Sequence, residues 1–147
     1  MKTMILKVLA SSIFCFTCSN AFAACTISDT GAGTIRLQPT SGSTSTIQLD
    51  IKCDAEFNIR FDSQNLVDSS GNSTLKNESA LAYTKLKNTI DIKYELSGDA
   101  GSQWQLIKNQ KKKAKQSYVI VARLGSVNLA SLAAGDYRDR ITITMDY

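Results

Sequence analysis

From Ile47 to Phe61 the chain follows one rule: odd positions are apolar or small, and even positions are polar or charged. Ile47, Leu49, Ile51 and Cys53 alternate with Gln48, Asp50 and Lys52, and Phe57, Ile59 and Phe61 alternate with Asn58 and Arg60. A period of two separates a dry face from a wet one only in extended chain, where successive side chains point to opposite faces of a sheet. A helix of the same sequence would scatter its apolar residues around the axis, so this stretch is strand.

The same alternation returns at Ile90, Ile92, Tyr94 and Leu96, at Trp104 and Leu106, from Tyr118 to Leu124 and from Ile141 to Tyr147. Stretches rich in Gly, Ser, Asn and Thr separate the strands, as at Thr40 to Ser45 and Asp68 to Ser73, and these have the composition of turns. Several short antiparallel strands without a helical period predict an all-β sandwich. The basic run from Lys108 to Lys115 lies between two strand patterns and reads as a solvated hairpin tip.

At the other end of the chain, Lys2 and Lys7 precede an apolar run from Val8 to Cys18 and a small-x-small site at Ala21-Phe22-Ala23. This is the plan of a secretory signal peptide, and the run is well short of the roughly 20 apolar residues a spanning helix needs. Residues 1–23 are therefore expected to be removed on export. What remains is one domain, residues 24–147, with a formal charge reduced from +4 to +2 by the loss of two lysines. So small a charge gives no reason to expect binding to nucleic acid or to a membrane surface.

Cys15 and Cys18 leave with the signal, and Cys25 and Cys53 remain as a pair in an oxidising compartment, where a structural disulfide is expected. Closing that loop stabilises the fold by about 3–4 kcal/mol on the chain-entropy estimate. Reading Cys25 as a lipidated N-terminus would leave Cys53 unpaired.

The chain contains no histidine, so it lacks the usual general base and the usual zinc ligand. With both exported cysteines paired there is no thiol nucleophile, and no nucleophile elbow, phosphate loop or calcium loop occurs. Asp54 with Glu56, and Asp136 with Asp139, are the nearest approach to carboxylate pairs, and a solvated strand face accounts for the first. Asp68-Ser69-Ser70-Gly71-Asn72 reads as a turn, and Trp104 and Tyr94, at alternating strand positions, read as core rather than as a sugar platform. The expectation is a protein with no catalytic residues, no metal and no cofactor.

The stretch from Tyr118 to Tyr147, YVIVARLGSVNLASLAAGDYRDRITITMDY, resembles the spore coat protein U domain. This pilin-like family includes subunits of archaic chaperone–usher pili. The resemblance is carried by Ala134-Gly135-Asp136-Tyr137-Arg138-Asp139 followed by an alternating strand that reaches Tyr147. It is also carried by Cys25 with Cys53 at the end of a second strand, and by Ile92-Lys93-Tyr94-Glu95-Leu96 before Trp104.

The resemblance implies an immunoglobulin-like, pilin-type sandwich that lacks its last strand. It implies as partners a periplasmic chaperone, an outer-membrane usher and other pilin subunits, with passage through the periplasm to the cell surface or medium. Ile141, Ile143, Met145 and Tyr147 would form one wall of the groove left by the missing strand, and the Tyr147 carboxylate would anchor a basic chaperone residue. Gly135 would allow the turn into that strand, and Tyr137 and Asp139 would fix its start.

A polymerising subunit needs about ten residues ahead of its first cysteine to supply a strand of its own, at about 3.3 Å per residue. Cleavage after Ala23 leaves only Ala24, which points to a minor or tip subunit with a role in adhesion or biofilm formation. Two other classes fit the same residues: a self-sufficient secreted sandwich that binds carbohydrate or another ligand, completed internally by residues 24–35 or 108–124, and an envelope or coat protein that bypasses any usher.

Overall fold

A computed structural model describes residues 24–29, 33–79, 85–99, 104–111 and 115–146. The signal segment 1–23 and Tyr147 lie outside the described residues. Among the described residues nine strands form two sheets: β1 (Cys25–Asp29), β2 (Thr44–Cys53), β3 (Phe57–Ser63), β4 (Asn72–Asn77), β5 (Thr89–Gly98), β6 (Leu106–Gln110), β7 (Gln116–Leu124), β8 (Tyr137–Arg138) and β9 (Ile141–Asp146). The first sheet runs in the order β1-β2-β7-β5-β4-β8 and the second β6-β3-β9, every ladder antiparallel. The helical content of the described residues is one turn of 3-10 helix, Leu129–Ser131. The fold is thus an all-β, two-sheet sandwich with one disulfide, Cys25 to Cys53, joining directly opposed residues of β1 and β2.

The long alternation from Ile47 to Phe61 proves to be two strands in different sheets. The chain turns at Asp54-Ala55-Glu56, where the polar residues are exposed, and crosses from the end of β2 to the start of β3. The parity survives the crossing because both sheets turn their odd residues toward the same core.

The basic run is likewise not a hairpin. Lys108, Asn109 and Gln110 belong to β6, which pairs with β3, whereas β7 pairs with β2 and β5, so the strands on either side of the run lie in different sheets. Lys115 reaches Asp50 at 2.8 Å. That lysine, with Ser117 and Gln48 also donating, holds the Asp50 carboxyl down at about 2.

Aromatic contacts fix how the sheets stack. Phe61 of β3 packs on Tyr118 of β7 at 5.8 Å, and Trp104, leading into β6, stacks on Tyr94 of β5 at 5.2 Å and 21°. These contacts lay β3 across β7 and the start of β6 across β5. Burial raises the hydroxyl pKa of both tyrosines, that of Tyr94 with help from the neighbouring Asp139 carboxylate.

Candidate functional site: an unpaired edge at β9

β9 pairs with β3 along its whole length, from Ser63 opposite Ile141 to Asn58 opposite Asp146, and among the described residues no strand pairs with its other side. The direction of its backbone groups follows from two hydrogen bonds. The Phe61 N–H donates to Gln105 O at 2.9 Å, so Phe61 faces β6 and its neighbours Arg60 and Asp62 face β9. Their partners Thr144 and Thr142 therefore face β3, and the Gln64 N–H donating to Arg140 O at 2.9 Å continues the even-numbered series. Antiparallel ladders alternate, so the N–H and C=O of Ile141, Ile143 and Met145 point away from β3 to the open side.

The same three residues turn their side chains into the sandwich, yet all three are only partly buried. On β3, one strand further in, Ile59 and Phe61 are 0% exposed. The opposite wall shows the same deficit. Ile27 of β1 is directly opposite Ile51 of β2 and so lies on the inner face, but Ile27 is 48% exposed against 1% for Ile51. A strand laid beside β9 would satisfy these backbone groups and cover Ile27.

Among the described residues, the strands of the segments 24–35 and 108–124 are placed elsewhere. β1 pairs only with β2, β6 lies on the far edge of the β6-β3-β9 sheet, and β7 is interior to the larger sheet. Ile35 and Leu37 pack on the core from residues 34–38, which form no ladder.

The start of β9 is held by Asp139. Its carboxylate accepts from Ser63 Oγ (2.5 Å), Ser73 Oγ (2.8 Å) and Tyr94 OH (3.0 Å). It also accepts from Asn65 N and Nδ2 (3.2 Å each) and Arg140 N (2.8 Å). β8, just before it, belongs to the first sheet and β9 to the second, so Asp139 sits where the chain changes sheets. The Tyr137 hydroxyl donates to Ala133 O (2.7 Å) and Lys87 O (3.1 Å). Gly135 has φ +143, and a Cβ there would stand 2.5 Å from Asn77 Oδ1, so the turn excludes a side chain.

Ser63 and Ser73, both buried and bonded to each other at 2.7 Å, are members of this cluster that hydropathy does not reveal. A polar residue at an inward strand position, with a carboxylate to meet it, was the only signal available.

The outer face of β9 and β3 is a polar depression of about 480 Å³ lined by Arg60, Asp62, Arg140, Thr142, Thr144 and Asp146. No three His, Cys, Asp or Glu side chains among the described residues come together as a metal site. No described helix is long and apolar enough to cross a membrane.

No family model matches the chain, and no curated protein matches it. Among solved structures it is similar to the Hda pilus minor tip subunit HdaB of E. coli. The two share 11% identity at a TM-score of 0.39, over 82% of this chain and 80% of that one.

Proposed function

We propose that the chain is an exported structural subunit of a surface fibre, of the pilus type, that accepts a strand from another protein. One observation carries this reading: β9 offers the free N–H and C=O of Ile141, Ile143 and Met145 together with three half-covered apolar side chains, and Ile27 waits uncovered opposite. An unpaired, alternating edge is a template for another chain, and strand addition satisfies main chain and core at once. A periplasmic chaperone would fill the slot first and a neighbouring subunit later, delivered through an outer-membrane usher. The role of Gly135, Tyr137 and Asp139 is to aim β9, and Tyr147 would extend the same wall.

Processing after Ala23 would leave one residue before Cys25, so the subunit receives a strand without giving one. This favours a minor or tip position, with adhesion as the task. Finding each copy inserted in the next along a purified fibre would overturn this assignment.

The test of the main reading is the thermal unfolding of residues 24–147 exported without partners. An uncovered slot predicts aggregation, degradation or a broad melt, rescued when a strand donor is co-expressed. A sharp, reversible transition of a stable monomer would refute it.

A further inference from the structure

We infer that Arg140 and Asp146 select which strand enters the β9 slot and in which direction. The segment they favour comes from another protein chain and runs antiparallel to β9. It carries a basic residue at its first outward position and an acidic residue at its last, with apolar residues between them at the inward positions. This deepens the strand-acceptor reading and rests on it.

The register supplies the geometry. Ile141, Ile143 and Met145 point their backbone groups to the open edge, so residues of an incoming antiparallel strand opposite them form the hydrogen-bonded pairs and face inward. Residues opposite Arg140, Thr142, Thr144 and Asp146 form the non-hydrogen-bonded pairs, in which the Cα atoms approach to about 4.5 Å and the side chains are closest. Those four side chains are all exposed on the outer face. The two ends of β9 are thus read by opposite charges, and the middle by two threonine hydroxyls.

Both charges are available. Arg60 is paired with Asp62, Lys115 with Asp50, and Arg138 with Glu78 and Asp136, whereas Arg140 and Asp146 have no ion partner among the described residues. In an antiparallel pair the first residue of the newcomer meets Asp146 and the last meets Arg140. Opposite charges across a ladder attract and like charges directly opposite repel. A parallel strand would require the reverse charge order. The occupant is a lone extended segment, which at once pairs with the open side of β9 and covers Ile27 of β1.

Two peptides of seven residues, capped at both ends, test this. Both carry valine at positions two, four and six and threonine at three and five. One begins with lysine and ends with glutamate, and the other has these two exchanged. Each is labelled and titrated with residues 24–147 refolded in its presence, and binding is read by anisotropy.

The lysine-first peptide is expected to bind about tenfold more tightly at low salt, the two ends together contributing that factor. The margin should shrink in 1 M salt, where the screening length falls to about 3 Å. The double variant Arg140→Glu/Asp146→Lys should prefer the other peptide. Should that variant fail to fold, Asp146→Asn in the otherwise unchanged chain halves the test, since only the lysine end should lose its advantage.

Equal binding of the two peptides would overturn the inference and leave the open edge standing. Preference of the unchanged chain for the glutamate-first peptide would overturn the antiparallel direction. Binding of neither would overturn the strand-acceptor reading itself.

Discussion

β3 and β9 are neighbours in one ladder with nearly the same pattern, and they end in different physical states. β3 lies between β6 and β9, with a strand on each side, and Ile59 and Phe61 are sealed from solvent. Among the described residues β9 has one partner, and Ile141, Ile143 and Met145, equally apolar and equally directed inward, stay half covered. Alternation therefore specifies which face of a strand is buried, while the number of neighbours decides how completely. A strand whose sequence is written for a core and whose position leaves it at an open edge is unfinished.

Amide hydrogen exchange would show this contrast most strongly. Along β3 protection should persist at Arg60, Phe61 and Asp62, because Arg60 and Asp62 face β9 and the Phe61 N–H donates to Gln105 O. Along β9 protection should alternate: Thr142, Thr144 and Asp146 slow, Ile143 and Met145 faster by about a thousandfold, the factor separating an exposed amide from one that opens only with the fold. Uniform protection along β9 in the isolated chain would mean that its outer edge is already paired.

The second contrast is energetic and uses one residue type on the two strands. Ile59→Ala removes a fully buried side chain and should cost about 3–4 kcal/mol, whereas Ile143→Ala in the free chain should cost about 1–2 kcal/mol. Chemical denaturation of the two variants measures the difference. Adding a strand donor should widen the effect at position 143 and leave that at 59 unchanged, since only the former gains cover. Equal costs in the free chain would contradict the partial burial of β9.

A third change acts on the link between the two strands. Asp139→Ala withdraws the acceptor shared by Ser63, Ser73, Tyr94 and Asn65, leaving buried hydroxyls with fewer partners, and should cost about 2–3 kcal/mol. Asp136→Ala, at an exposed position three residues earlier, should stay within about 0.5 kcal/mol. If the two variants melt alike, Asp139 does not hold β9 in place.

How much of this was legible in the chain follows from what each strand uses to fill its inner face. β2, β3, β5, β7 and β9 fill it mainly with apolar side chains, and their period of two is plain in the sequence. β4 sets Ser73, sealed by hydrogen bonds to Ser63 and Asp139, beside Leu75, so its apolar period is short, and Asp68 to Ser73 reads as turn until the partner from residue 139 is in view. β8 is two residues long and has no period to detect. The break at Asp54 to Glu56 was hidden for the opposite reason, because two strands facing one core share a parity. The unpaired state of β9 is not encoded in β9 at all: it depends on which strands lie beside it, a property of topology that alternation does not carry.

The smallest expected effect lies at the turn that follows β3, away from the open edge, and it separates acid loosening of the fold from loss of the edge. Asp68 accepts hydrogen bonds from Ser70 N (2.9 Å), Ser70 Oγ (2.6 Å) and Asn72 Nδ2 (2.7 Å), closing the loop that leads into β4. The Ser70 hydroxyl, then Asn72, hold its carboxyl down at about 2 from an ordinary 3.8. A carboxyl lowered in the folded state favours folding above its unfolded pKa and loses that contribution as the pH falls toward the folded value. Stability should therefore decline between about pH 4 and pH 2 in the unmodified protein, with Asp50 contributing over the same window. Asp68→Asn should flatten part of that decline while leaving alternating protection along β9 intact at neutral pH. Urea midpoints measured across the window would show it, and an undiminished slope in the variant would mean that the Asp68 turn is not what acid undoes.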